Sequence, residues 1–168
     1  MAYHHGDLRR ALLTAAAEAI VESGPAALSL RDLARRAGVS HAAPTHHFGD
    51  KKGLLTVLAT EGFEELSAAL NASWERDGSL LELGVCYVHF AVTHRAHFEV
   101  MFRPDLFHDD DAGLVAARGE ARGALKEGGL SGWSIAHGFA TLWNSGALSH
   151  LTGTPEAAAR EVLCQLSP

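Results

Sequence analysis

Between Leu28 and Phe48 two short helical segments follow one another with almost nothing between them, and this restricts the chain more than any other feature. Ser29 followed three residues later by Asp32 has the form of a capping box with aspartate in the acidic position. It opens a segment, Leu30 to Ala37, with Leu33, Ala34 and Ala37 on one face. Gly38 stands where a chain leaving a helix turns left-handed, Val39 is an apolar plug, and Ser40 is expected to cap the next helix at once. That helix, His41 to His47, is short and polar, with Pro44 at its fourth position, where one backbone donor is lost but one or two turns still form. Two helices meeting across so tight a turn make a helix-turn-helix.

The rest of the chain reads as helix throughout, so the fold class is all-α. Leu8, Leu12, Ala16 and Ile20 recur at helical spacing from Asp7 to Ser23, where Gly24-Pro25 stops the pattern. Asp50 caps a longer helix whose stripe Leu55, Leu58, Gly62, Leu66 and Ala69 runs to about Ala72. A second box, Ser79 to Glu82, starts an apolar segment, Leu80 to Thr93, expected to be buried on most sides. Phe98, Met101 and Phe102 form a short helix ended by Pro104, while Phe107 and the run His108 to Asp111 read as a solvated loop. Ala112 to Lys126 is a weaker helix broken by Gly128-Gly129. Trp133 to His150 is strongly helical, and Thr154-Pro155-Glu156 launches a last helix to about Leu166. The division expected is residues 1–52 as a three-helix head and 53–168 as a helical body.

Charge is divided in the same way. The chain carries a net charge of -6. Up to Lys52 seven basic residues (Arg9, Arg10, Arg31, Arg35, Arg36, Lys51, Lys52) face five acids (Asp7, Glu18, Glu22, Asp32, Asp50), giving +2 and leaving -8 for the remainder. Five histidines, His4, His5, His41, His46 and His47, also fall in the head, where they can donate hydrogen bonds to phosphate. A nucleic-acid-facing head on an acidic body is the consequence. No apolar run is long enough for a membrane span and no leader pattern precedes the first helix, so a cytoplasmic location is expected. Cys86 and Cys164 sit in apolar surroundings without CxxC spacing and read as buried thiols.

The stretch Leu28 to Leu55, LSLRDLARRAGVSHAAPTHHFGDKKGLL, resembles the TetR family of regulators. The resemblance implies a double-stranded DNA operator as partner. Residue by residue, it gives Ser29 a phosphate contact or a cap and lets Arg31 reach bases or phosphates. Ser40, His41, Ala42 and Ala43 become groove-facing, with alanine methyls against thymine and a hydrogen bond from His41. His46 and His47 match phosphate or groove-edge positions, and Lys51 a phosphate contact. Thr45 stands where the family usually has tyrosine, which shortens that contact, and Pro44 is a less usual residue. Without Arg or Lys on the recognition helix, specificity leans on DNA shape. The arm Tyr3 to Arg9 is implied to lie against the DNA backbone.

Further on, Trp133-Ser134-Ile135-Ala136-His137-Gly138 resembles the Trp-x-x-x-His-Gly signature of an effector domain found in some TetR-like regulators. The implication is a homodimer through the last two helices, about 131–150 and 155–166, and a small-molecule effector, with no enzyme activity, cofactor or metal. Phe90, Met101, Phe102, Trp133, His137 and Trp143 are the expected pocket lining. The segment Ala112 to Ser131 is short for the family, so either the pocket is reduced or a flexible segment is missing from the sequence as given. Effector binding is expected to shift two recognition helices set about 34–36 Å apart, and repression is the family default. The alternative is a metal-binding sensor or metal-dependent enzyme, prompted by eleven histidines. His94 and His97 share a helical face with His89 before them, yet no cysteine or carboxylate completes a set and HExxH is absent. A helical carrier of hydrophobic molecules that does not bind DNA is a third reading.

Overall fold

A computed structural model describes residues 5–165, and all regular structure among them is helical. The chain divides into two compact units, one built from the residues up to Glu61 with Ala96–Val115, the other from Gly62–Arg95 with the residues from Ala116 onward.

The first unit holds α1 (His5–Ala27), α2 (Leu30–Arg36), α3 (Ala43–Phe48), the start of α4 (Lys51–Asp77), α6 (Arg95–Met101) and the start of α7 (Ala112–Ala124). Leu12, Ala16 and Ile20 are fully buried, as the helical stripe requires. The expected stop at Gly24-Pro25 is a kink, Gly24 lying at φ 77 and ψ 161, after which one more turn reaches Ala27. Tyr3 and His4 of the expected arm lie outside the described residues.

α2 packs on both α1 and α3 through Leu33 and Ala34. It ends in a Schellman motif: Gly38 N–H reaches Arg35 O (3.3 Å) and Val39 N–H reaches Ala34 O (3.0 Å), with Gly38 at φ 66. The box at its start differs from expectation. Ser29 has the extended backbone of an N-cap, but its hydroxyl caps nothing. Asp32 turns the other way, to Arg35 (2.7 Å) and Arg36 (2.8 Å), because two guanidinium partners one turn ahead, each carrying a full opposite charge, outweigh a single bond from the backbone N–H behind it.

α3 also starts later than expected, and Ala42, not Ser40, is its N-cap. Residues 41 and 42 form a turn in which Ala43 N–H bonds Ser40 O at 3.0 Å. The late start places Pro44 in the first helical turn, where a missing N–H costs nothing and the ring is free to be buried. Asp50 caps α4 as expected, its Oδ1 accepting Gly53 N–H at 2.7 Å.

The expected solvated loop after Pro104 contains a core residue, since Phe107 is only 2% exposed. Around it, His108 N–H bonds Thr56 Oγ1 (3.0 Å) and Asp111 Oδ1 caps α7 through Leu114 N–H (3.0 Å). The aromatic ring anchors the segment while its acidic neighbours stay in water.

The second unit is built on α5 (Leu80–Thr93), which packs against α8 (Gly129–Asn144) and α9 (Pro155–Cys164) and buries Leu83, Val85, Tyr87, Val88, Phe90 and Ala91. Both expected caps form: Ser79 Oγ accepts Glu82 N–H (3.4 Å) and Thr154 Oγ1 accepts Ala157 N–H (3.2 Å). α9 is held along α5 by a bidentate Arg160–Glu82 pair and by His89 Nδ1 against Glu156 Oε1 at 2.7 Å. α8 begins four residues before Trp133 and stops at Asn144, short of the expected His150. The stop repeats the device after α2, with Gly146 at φ 78 and Ala147 N–H reaching Leu142 O at 3.1 Å. Cys164 corrects the reading of two buried thiols. It is exposed on the last turn of α9, where Leu163 is the residue turned inward, and Cys86 is half-buried.

One contact in the first unit admits no side chain. A Cβ on Gly53 would stand 2.0 Å from the carbonyl oxygen of Phe48, which is backbone and cannot swing aside. Gly53→Ala is expected to destabilise the protein by about 2 kcal/mol in chemical denaturation. An unchanged denaturation midpoint would mean that α3 and α4 are not seated as described.

Candidate functional site

The first unit exposes polar and small side chains along α2, the turn after it and α3. Ser29 and Arg31 at the start of α2, and Ser40, His41 and Ala42 in the turn before α3, are exposed. Thr45 and His46 are exposed on α3, Ala43 and His47 are half-buried, and Pro44 and Phe48 point into the core. Ala42, Thr45 and His46 stand at i, i+3 and i+4 and therefore share one side of the helix. The Arg9 guanidinium lies over the Phe48 ring, 5.6 Å from its centre.

Most cations near this face are already engaged. Arg36 bridges Asp32 and Glu22 (both 2.8 Å), and Arg35 bonds Asp32. Hydrogen bonds from these guanidiniums hold both carboxyls below their ordinary range. Lys51, expected to reach phosphate, is half-buried and donates to Ala26 O at 2.8 Å, joining α4 to the end of α1. The Gly53 N–H, helped by His108, holds the Asp50 carboxyl low. Among the described residues Arg31 is the arginine of α2 with no ion-pair partner.

The second unit centres on a chain of three polar groups that the sequence reading only half found. Trp133 Nε1–H donates to Tyr87 Oη (3.1 Å), and Tyr87 Oη lies 2.8 Å from His137 Nδ1. With the indole donating to the phenol oxygen, the phenol hydrogen satisfies Nδ1, so His137 is neutral with its proton on Nε2. Burial agrees with this. It pushes the Tyr87 hydroxyl well above its ordinary pKa and the His137 imidazole below its own. Trp133 and His137 carried the signature, while Tyr87 was missed. Its signal was a tyrosine in an otherwise apolar helix, which needs a partner for its hydroxyl.

The six expected lining residues do not gather at one place. Met101 and Phe102 belong to the first unit, Phe102 against Phe98 at 5.4 Å between ring centres. In the second unit Phe90 stacks on His94 (4.7 Å) and Trp143 on Phe139 (5.9 Å). A groove of about 410 Å³ opens in that unit among α5, α8 and α9, and of the six it takes Trp133. The histidines weighed for a metal lie against carboxylates: His89 faces Glu156, His94 faces Glu65 (3.3 Å), and His97 faces Glu61 (4.0 Å). Among the described residues no group of three or more His, Cys, Asp or Glu side chains is placed to hold a metal ion. No described helix is long and apolar enough to cross a membrane.

Two substitutions test the polar chain. Tyr87→Phe leaves the Trp133 N–H and His137 Nδ1 without their partner, and is expected to cost about 1–3 kcal/mol of stability by thermal or chemical denaturation. His137 binds a proton more readily unfolded than folded, so its contribution is complete above the ordinary histidine pKa of about 6.5 and is lost as pH falls below it. His137→Gln, which accepts the same hydrogen without titrating, is expected to flatten the fall in melting temperature from about pH 7.5 to 5.5. Parallel pH curves for the two proteins would refute the neutral assignment.

Residues 12–58 match the model for bacterial regulatory proteins of the tetR family. A structure of a protein of unknown function from Rhodococcus sp. RHA1 is 32% identical, covers 97% of this chain and 95% of that one, and superposes with a TM-score of 0.76. A bacterial regulatory protein of the tetR family from Rhodococcus RHA1 shares the fold at 20% identity, 93% of each chain and a TM-score of 0.72. PfmR, a TetR family transcriptional regulator from Thermus thermophilus, does so at 22% identity, 90% of this chain, 94% of that one and a TM-score of 0.66. Comparison with curated proteins gives no match.

Proposed function

The chain belongs to the tetR family of bacterial regulatory proteins, and on that premise we propose that it is a homodimeric repressor released from a palindromic operator by a small molecule. Residues 1–52 are the DNA-binding part and 53–168 the part that dimerises and senses the effector. The observation that carries the reading is the exposed side of α3, Ala42, Thr45 and His46, offered outward from a helix whose opposite side is buried. A helix so presented fits the major groove with small side chains at base edges.

The composition of this face favours contacts at its edges. With Arg35 and Arg36 held by carboxylates, Arg31 and the exposed Lys52 supply the charge toward phosphate, while His41 and His46 supply hydrogen bonds. Two copies double those contacts and set their spacing.

The surface of α8 supports dimerisation through the last two helices. α8 contains no Asp, Glu, Lys or Arg, and it exposes Leu130 (73%), Ser134, Thr141 and Leu142 (49%). On α9, Glu156 and Arg160 are turned to α5, and Val162 is exposed. An apolar, small-residue face of this kind is what an isologous four-helix interface buries.

Footprinting on the DNA flanking the gene, across a salt series, tests the reading. A palindromic protected site is expected, with affinity falling steeply as salt rises. Arg31→Ala should weaken binding on all sequences and reduce the salt slope by about 1 for each phosphate contact removed, whereas His41→Ala should shift base preference by about 1 kcal/mol. If neither substitution alters binding, this face does not meet DNA.

A further inference from the structure

We propose that the groove among α5, α8 and α9 is the effector site, and that its occupant is an uncharged, largely apolar small molecule seated against Tyr87 and Trp133. This rests on the reading of the chain as an effector-responsive regulator. At about 410 Å³ the groove lies within the range of small-molecule sites. Leucines dominate its wall, with Ile135 and Ala136 from α8, and no Asp, Glu, Lys or Arg lines it.

Charged neighbours of the lining residues are paired with one another. Glu82, beside the lining residues Leu81 and Leu83, is taken by Arg160, and Lys126 pairs with Glu127 at 3.6 Å. An ion entering the groove would give up its hydration and meet no counter-charge, so the lining selects against charged molecules of the same shape. Two of the three polar side chains on the wall are engaged as well, since Trp133 N–H donates to Tyr87 and Tyr87 bonds His137, which leaves the Ser131 hydroxyl as an uncharged hydrogen-bonding group. What they offer an occupant is chiefly aromatic surface.

Glycine keeps the space open. Gly132 lies inside α8, where alanine would favour the helix more, and a Cβ on it would meet nothing within 4 Å. At the mouth Leu80 is 54% exposed, an apolar surface that an occupant would cover.

The test is a pair of fluorescent probes nearly identical in shape, uncharged N-phenyl-1-naphthylamine and anionic 1-anilinonaphthalene-8-sulfonate, titrated into the full chain. The uncharged probe is expected to bind with a rise in its own emission and a change in tryptophan emission, and the sulfonate at least tenfold more weakly. Gly132→Phe, which fills the groove, is expected to weaken the uncharged probe at least tenfold while the melting temperature and dimer mass stay as in the parent. Gly132→Leu is the milder filler should the phenylalanine variant not fold. Equal affinity for the two probes, or probe binding unchanged in a folded filler variant, overturns the proposal. So does a filler variant that becomes monomeric, because the groove would then hold a second copy of the chain. Operator binding by the parent without any probe is measured separately. Its absence would sink the regulator reading, whereas probe selectivity and its loss in the variant bear on the groove alone.

Discussion

The first turn of α4 fixes the geometry of the whole DNA-facing unit. Asp50 caps it, Gly53 lets the Phe48 carbonyl sit where a side chain would otherwise be, and Lys51 reaches back to Ala26 at the end of α1. His108 adds a fourth connection, its imidazole 3.4 Å from Asp50 and its backbone N–H on Thr56. Within a few residues α1, α3, α4 and the segment after α6 are thus tied together by short polar bonds around the buried rings of Phe48 and Phe107. Because α3 is short, its own hydrogen bonds cannot hold it, and its position is set by what anchors its two ends. One end is the turn at Gly38. The other is this cap.

That arrangement explains why the face of α3 is chemically so mild. The basic residues of the head serve two purposes, and structure takes the larger share. Arg35 and Arg36 are spent on Asp32 and Glu22, Arg9 lies over Phe48, and Lys51 is bonded to a carbonyl. What stays outward is Arg10, Arg31, Lys52, hydroxyls, imidazoles and methyl groups. A protein of net charge -6 with such a head gains little from long-range attraction to DNA, and on the proposed reading the pairing of two heads at fixed spacing is what makes up for it.

How much of this could be read from the residues depended on whether the signal was local. Caps made by a hydroxyl or carboxylate on the N–H three residues ahead were legible: Asp50, Ser79 and Thr154 all do what their spacing announces. Ser29 has the same spacing, yet its hydroxyl caps nothing, and the Asp32 carboxylate that would have completed the box bonds the arginines one turn ahead instead. Pro44 was placed too deep in its helix, since the turn that delays α3 is held by a backbone bond to Ser40 that has no side-chain signature. Phe107 hid in an acidic run, and nothing local reveals that a ring there finds a core. Of the candidate sites, the outward residues of the head were legible from helical spacing. The groove was not, because its walls come from segments far apart in sequence, and Tyr87 joins Trp133 and His137 only when α5 and α8 pack together.

The same packing gives α8 two opposed duties. One side supplies Gly132, Ile135 and Ala136 to the groove, and the other exposes Leu130, Ser134 and Thr141, the residues suited to a second copy. A helix pinned to α5 through Tyr87 and through Asn144, which donates to Ala91 O at 2.9 Å, cannot rotate freely. A molecule inserted beside Tyr87 must therefore either fit the existing space or displace α8 as a rigid piece, because a packed interior transmits strain better than it absorbs it. Displacement of α8 would move the dimer face with it. The polar chain is then more than a way to bury three polar groups. On the proposed reading it would be the stiff connection that makes occupancy of the groove felt on the far side of the same helix, which is what a coupling between effector and dimer geometry requires.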